Sequence, residues 1–332
     1  AVKWNRAVAT AALAATPMLG ACGLLAGLTS VPVANDAGTG ATDDAAGDDA
    51  GEAGTDGPCD PTRPFGAPSQ AIFASVNSAA PDSNYGARLS PDELTIYFTS
   101  TRSGGVAHLY FATRASTAEP FGSPALLPNV NASSPAKDEF PSVSADGTTL
   151  IWTSSRGNPG GQEYLYVASG DPLGPSFGAP TALTSVNAGA MDVMGYLLPD
   201  GHELYFVKSN EQESAGVIYR SLFSGGAFAA PTAVSELNTT TGQQQHPVAT
   251  PDDLTFFYTS SRTDLGSAGE LDIFSATRAA AGEPFGDLVD LPSGVNSPGN
   301  DLADWISPDG CRLYFSSDRN DGAYAMFVAR RQ

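Results

Sequence analysis

Basic side chains are scarce in this sequence: 16 Lys and Arg stand against 36 Asp and Glu, a formal charge of −20. Such a surface repels phosphate backbones and anionic headgroups, which excludes nucleic acid as a partner and peripheral electrostatic attachment to a membrane. Histidine is nearly absent too. His108, His202 and His246 fall in different parts of the chain with no metal-ligand spacing, so neither a metal nor a cofactor is expected. Asp318-Arg319-Asn320-Asp321-Gly322 lacks the later ligands and closing Glu of a calcium loop and reads as a polar hairpin. There is no room for an α/β-hydrolase domain, which argues against a serine hydrolase. The pairs Gly104-Gly105, Gly160-Gly161 and Gly225-Gly226 precede no helix, so they cradle no phosphate. Beyond the N-terminus, no apolar stretch approaches the ~20 residues of a spanning helix.

Turn formers are abundant, with 36 Gly and 25 Pro, and long helices have little room. The first residues read as a targeting segment. Lys3 and Arg6 precede an Ala-rich apolar stretch, Ala7 to Leu19. The run Leu19-Gly20-Ala21-Cys22 resembles the bacterial lipobox, which implies cleavage of residues 1–21 and a lipid on Cys22. An ordinary secretory signal, with no role for Cys22, is the alternative. Gly23 in place of Asp resembles an outer-membrane sorting pattern. Residues 34–58 carry Asp and Glu without one aromatic side chain and cannot form a core. The expected organisation is a leader over 1–21, a lipidated acidic linker over 22–60 and a globular domain over 61–332.

That domain is repetitive. A turn motif recurs as Ser90-Pro91-Asp92-Glu93, Ser144-Ala145-Asp146-Gly147, Leu198-Pro199-Asp200-Gly201, Thr250-Pro251-Asp252-Asp253 and Ser307-Pro308-Asp309-Gly310, its Asp spaced by 54, 54, 52 and 57 residues. Each copy leads into an alternating apolar strand, as in Leu94-Thr95-Ile96-Tyr97-Phe98, and a loop then leads to an aromatic strand, as in Leu109-Tyr110-Phe111. A Phe-Gly segment follows, at Phe121, Phe177, Phe228 (here Phe-Ala) and Phe285, with Val-Asn or Leu-Asn about ten residues on. Each unit thus predicts four short strands, the last a Pro-bearing edge. Five such units predict an all-β, five-bladed β-propeller of four-stranded antiparallel blades. One Phe-Gly segment, at Phe65, precedes every complete unit, and the last unit lacks one. The N-terminal strand is therefore expected to complete the last blade. Cys59 and Cys311 would then share a rim, where an oxidising compartment permits a disulfide; two unrelated thiols are the alternative.

The unit Ser307-Pro308-Asp309-Gly310, Leu313-Tyr314-Phe315, Ser317-Asp318-Arg319 resembles the TolB-type (WD40-like) β-propeller repeat over about residues 65–332. Arg102, Arg156 and Arg262 match the same Arg, and the third unit departs with Ser209-Asn210. The resemblance implies the fold. For function it points both to envelope proteins that bind partners and to propellers attached to peptidase domains. The recurring Asp and Arg read as structural, fixing the turn and bridging strands.

Seven residues before each motif's second position lie Asn84, Asp138, Asp192, Gln244 and Asp301, a polar ring with neighbours Tyr85, Glu139, His246, Asp304 and Trp305. Two readings stand: a mouth binding a small polar ligand, peptide or cation, or side chains capping backbone N–H groups where each strand begins. The second is favoured, because a repeated position usually serves a repeated backbone need. The expected function is a non-catalytic scaffold in the bacterial cell envelope, monomeric, membrane-bound only through its lipid, that recognises an envelope protein, peptide or glycan. The alternatives are a glycoside hydrolase or lyase using Asp138, Glu139, Asp192 or Asp301 at the mouth, and a spacer domain with no ligand.

Overall fold

A computed structural model describes residues 59–331 except 134, 159, 172–173, 188–190, 210–215, 241 and 266–270. The expected leader, Cys22 and nearly all of the linker lie outside the described residues. Among the described residues no helix is long and apolar enough to cross a membrane.

Five antiparallel sheets follow one another along the chain and form a five-bladed β-propeller. Blade 1 shows the plan: an innermost strand Asn84–Leu89, then Thr95–Ser100, His108–Thr113 and the outer Ala125–Leu126. The innermost strands of the other blades are Asp138–Val143, Met191–Leu197, Gln244–Ala249 and Asp301–Ile306. Each runs from the face where it starts to the opposite face, where the Pro-Asp motif turns it back. In that turn the Asp carboxylate does the work. Ser90 donates to Asp92 at 2.5 Å and the Leu94 amide donates to it at 3.0 Å, with counterparts at Asp146, Asp252 and Asp309. Burial alone would raise the Asp92 and Asp146 carboxyls, but these hydrogen bonds outweigh it and lower them.

The Phe-Gly segments sit differently from expectation. In blades 1 to 3 the outer strands form four residues beyond the Phe, at Ala125–Leu126, Thr181–Ala182 and Thr232–Ala233, whereas in blade 4 Gly286–Asp290 follows Phe285 directly, as expected. The Phe side chains serve as buried anchors: Phe65, Phe121, Phe177, Phe228 and Phe285 are all inside. Blades 2 and 3 place Phe177 and Phe228 in an extra short hairpin strand. An aromatic ring that fills the gap between sheets is held there by area burial, and the strand itself begins where the chain reaches the edge.

The ring closes as expected. Gly66 and Ser69 amides donate to the carbonyls of Arg330 and Val328 at 2.8 and 2.9 Å, and Val328 returns a bond to Ser69 at 2.9 Å. The Val-Asn motif supplies a second closure. In each blade its Asn side chain mimics a strand, accepting from and donating to one backbone residue of the third strand: Asn131 on Leu109, Asn187 on Leu165, Asn238 on Ile218 and Asn296 on Ile273. Asn77 does this to Met326, 249 residues away. Cys59 and Cys311 form a disulfide on the same seam, with Cα atoms 6.2 Å apart.

The core lies between blades. Tyr97 and Leu109 of blade 1 pack with Leu150 and Trp152 of blade 2, and Ile151 and Leu165 pack with Leu204 and Phe206 of blade 3. Each innermost strand also carries a β-bulge after its second or third residue. Gly86, Phe140, Met194 and His246 take positive φ there, between 49° and 65°. Threonines of the preceding blade hold several bulges: Thr99 accepts from Phe140 N, Thr153 from Met194 N and Thr259 from Ala303 N, each at 2.9 Å.

Candidate functional site

The polar ring at the strand starts is fully buried: Asn84, Asp138, Asp192, Gln244 and Asp301 are each 0 % exposed. Their polar atoms are taken up inside their own blades. Asp138 accepts from the Trp152 indole at 2.8 Å, from the Ala132 amide at 2.6 Å and from Arg156. Asp301 accepts from Arg319 at 2.6 Å and from Ser297 N at 2.6 Å. Asn84 accepts from Arg102 at 2.7 Å. The motif Arg thus binds the strand-start residue and, in the same stroke, lies on aromatic rings: Arg156 over Trp152 and Tyr166, Arg319 over Phe315 and Phe327.

Two blades vary this arrangement in a way charge explains. In blade 3 the motif Arg is missing, and Lys208 reaches Asp192 at 2.5 Å in its stead. In blade 4 the start residue is the neutral Gln244, and Arg262 turns away to Asp264 at 2.8 Å and to the Tyr258 hydroxyl at 2.7 Å. Each buried aspartate of the ring, Asp138, Asp192 and Asp301, holds a cation, as desolvation of its charge demands.

Of the expected neighbours, three gather at the start-side mouth. The Tyr85 hydroxyl donates to Glu139 at 2.5 Å, and burial together with that carboxylate raises the Tyr85 phenol well above its usual value. The Tyr85 ring stands 5.5 Å from Phe140 and 6.0 Å from Tyr324, and Phe140 stands 5.1 Å from His246. A pocket of about 120 Å³ opens beside Glu139 and Phe140, with Lys137, Glu163, Met194 and Gln245 around it. The mouth is aromatic and acidic, and its rings come from different blades.

Asp304 and Trp305 do not belong to this mouth, contrary to the sequence expectation. Asp304 is 0 % exposed beneath it, where its carboxylate takes a bond from Ser316. Trp305 lies four residues along the innermost strand, roughly 13 Å at the rise of a strand, and lines the opposite, turn-side end of the channel. Residue count from the motif places the strand start correctly, but the bulge and the inward pleat decide which end each later side chain serves.

The turn-side end is what sequence reasoning missed. A pocket of about 170 Å³ there takes residues from all five blades, so it lies on the ring axis. Its charged member is Arg88, 4 % exposed, whose guanidinium lies 5.0 Å above the Tyr196 ring. A signal existed. Counted from the buried ring residue as the first, the fifth position is Arg88, Ser142, Tyr196, Val248 or Trp305, while the sixth is apolar in every blade. Among the described residues no group of three or more His, Cys, Asp or Glu is arranged to hold a metal ion.

No family model matches the chain, and no curated protein matches it. Solved structures do resemble it. A protein from Agrobacterium tumefaciens assigned as TolB is 17 % identical with a TM-score of 0.47, over 76 % of this chain and 84 % of that one. TolB from Acinetobacter baumannii is 16 % identical with a TM-score of 0.43, and the match covers 76 % of this chain and 55 % of that longer one. A Bacteroides ovatus protein assigned as a glycoside hydrolase is 11 % identical with a TM-score of 0.52, over 80 % of this chain and 96 % of that one. At such identities the likeness is one of fold.

Proposed function

We propose that this propeller is a non-catalytic binding protein of the TolB-like kind, carried outside the cytoplasm on a lipid at Cys22 by its acidic linker. It takes a peptide or glycan segment of an envelope partner at the start-side mouth. One observation carries this reading against glycan cleavage. Asp138, Asp192 and Asp301 are fully buried and held by Arg156, Lys208 and Arg319. Acid/base work at a glycosidic bond needs two carboxylates that reach substrate from unlike environments, and these three face their own blades. The side chains left at the mouth include the rings Tyr85, Phe140 and Tyr324, beside Glu139 and Glu163. Half-buried aromatic faces next to a hydrogen-bonding edge suit stacking on a sugar or on a peptide side chain.

Glycan and envelope-peptide arrays are incubated with the wild type, Tyr85→Ser and Asp301→Asn, and glycan products are followed in parallel. Saturable binding that Tyr85→Ser loses, with every glycan intact, is the expected result. Sugar released from arabinan or another glycan by the wild type, and not by Asp301→Asn, would replace this reading with a hydrolase. Absence of any saturable ligand would leave a spacer domain.

A further inference from the structure

The turn-side pocket is ringed by one residue from each repeat: Pro91, Ala145, Pro199, Pro251 and Pro308, the second position of every turn motif. Four rigid pyrrolidine rings make a preformed apolar collar, which costs a ligand no ordering of the rim. Where the second unit has Ala, its backbone keeps a donor, and Ala145 N–H bonds the Pro199 carbonyl at 2.9 Å, tying adjacent blades at the collar. Inside the collar stand Trp305 and Tyr196, 6 % and 2 % exposed. The volume of about 170 Å³ compares with the about 150 Å³ of an apolar cavity that holds one benzene ring.

At the bottom is a cation without an anion in contact. Arg88 donates from Nη1 to its neighbour's carbonyl, Ala87 O, at 3.1 Å, and its buried Nε has no hydrogen-bond partner. Among the described residues no carboxylate lies within ion-pair distance of it. Asp304 is near enough to be felt electrostatically, but its Oδ2 accepts from Ser316 and its buried Oδ1 has no hydrogen-bond partner, so it does not reach the guanidinium. The other buried arginines among the described residues, Arg114, Arg262 and Arg278, each face a carboxylate, of Glu93, Asp264 and Asp253. A guanidinium held over a tyrosine ring, buried and unpaired, is a socket for a carboxylate, which would form charge-assisted bonds in a water-poor site.

We propose that this pocket binds a small apolar carboxylate, its ring or branched chain inside the proline collar and its carboxylate on Arg88. The chemistry is shared by a free acid and by the C-terminal residue of a polypeptide ending in an apolar side chain. It is independent of the start-side reading, because the two mouths lie at opposite ends of the channel.

The test is calorimetric titration of the full chain with 3-phenylpropanoate and with its amide. A hexapeptide ending in Phe, as free acid and as C-terminal amide, forms the second arm. One or both acids should bind, each at least about tenfold more tightly than its amide, as a charge-assisted bond implies. Arg88→Met should erase that preference while the melting temperature holds or rises, because the variant removes an unpaired buried charge. Ala145→Trp, at an exposed position of the collar, should block both acids and keeps the test open if the Arg88 variant does not fold. A tighter free acid names a metabolite as the source, and a tighter peptide names a chain terminus. Equal affinity for acid and amide, or no binding by either acid at millimolar concentration, would overturn the proposal.

Discussion

Glu93 and Arg312, 219 residues apart in sequence, are joined by two hydrogen bonds of 2.9 and 3.0 Å across the seam where the last blade meets the first. Glu93 also accepts from the Tyr314 hydroxyl and faces Arg114 at 3.7 Å. It does this from a left-handed backbone, φ 59°, at the turn position that other blades give to Gly147, Gly201 and Gly310. Asp253 repeats the device, with φ 58° and contacts to Tyr205 and Arg278. Two acids accept backbone strain in order to clamp neighbouring blades.

Glu93→Gly sets the two effects against each other. Glycine relieves a left-handed position worth about 1 kcal/mol. It also takes the carboxylate from the buried Arg114 and leaves Arg312 only Asp309, and removing one partner of a buried pair costs about 3–5 kcal/mol. The clamp should win, and the urea midpoint should fall. A variant as stable as the wild type would show that the seam does not depend on this carboxylate.

Much of the ring was legible because its devices repeat. The Pro-Asp turns, the aromatic strands and the orphan Phe65 segment predict blade number and closure from local chemistry alone. The bulges were not legible. A glycine would have announced a left-handed residue, but three of the four are Phe140, Met194 and His246, and what holds two of them is a hydroxyl from another blade, Thr99 or Thr153. Glu93 and Asp253 hid for the same reason, since a turn acid looks alike whether it meets water or a neighbour's arginine. The assignment of Trp305 to the wrong mouth follows from the missed bulge.

Asp138 offers a graded test of the buried strand-start pairs. Asp138→Ala removes the acceptor of Trp152, Ala132 and Arg156 at once and should cost about 3 kcal/mol or more. Asp138→Asn should cost less, because Asn84 holds Arg102 in the same way in blade 1. It should not be neutral: one carboxylate oxygen faces the Ala132 amide, where an NH₂ would oppose an N–H. Thermal unfolding should rank wild type above Asn above Ala. Equal loss in both variants would assign the effect to charge alone.

The Cys59–Cys311 bridge spans 252 residues of sequence. A crosslink that long restricts the unfolded chain strongly, and a contribution of roughly 2–4 kcal/mol is expected. Replacing both cysteines with serine should lower the melting temperature by several degrees, at about 2–4 °C per kcal/mol for a domain of this size. The blades should remain paired, since Asn77 and Ser69 still hold the seam. Identical melting of the double variant and the wild type would dismiss the bridge as a stabilising element.

Two buried groups in the channel titrate in opposing senses. Burial raises Asp304 from 3.8 to about 7, against the pull of the Ser316 hydroxyl and of Arg88. Burial, with Arg88 second, lowers His246 from 6.5 to about 3. Between about pH 4 and pH 7 the folded chain keeps a proton on Asp304 that the unfolded chain has released, so rising pH costs stability there. Between about pH 3 and pH 6.5 the unfolded chain protonates His246 and the folded chain does not, so rising pH adds stability. The slopes oppose one another where they overlap, and single variants should separate them. Asp304→Asn should gain stability relative to the wild type as pH climbs from about 4 to 8. His246→Asn, whose side chain tolerates the left-handed backbone, should gain relative to the wild type as pH falls from about 6.5 to 4. Urea midpoints across that range measure both, and differences that stay flat with pH would mean that neither proton is displaced by folding.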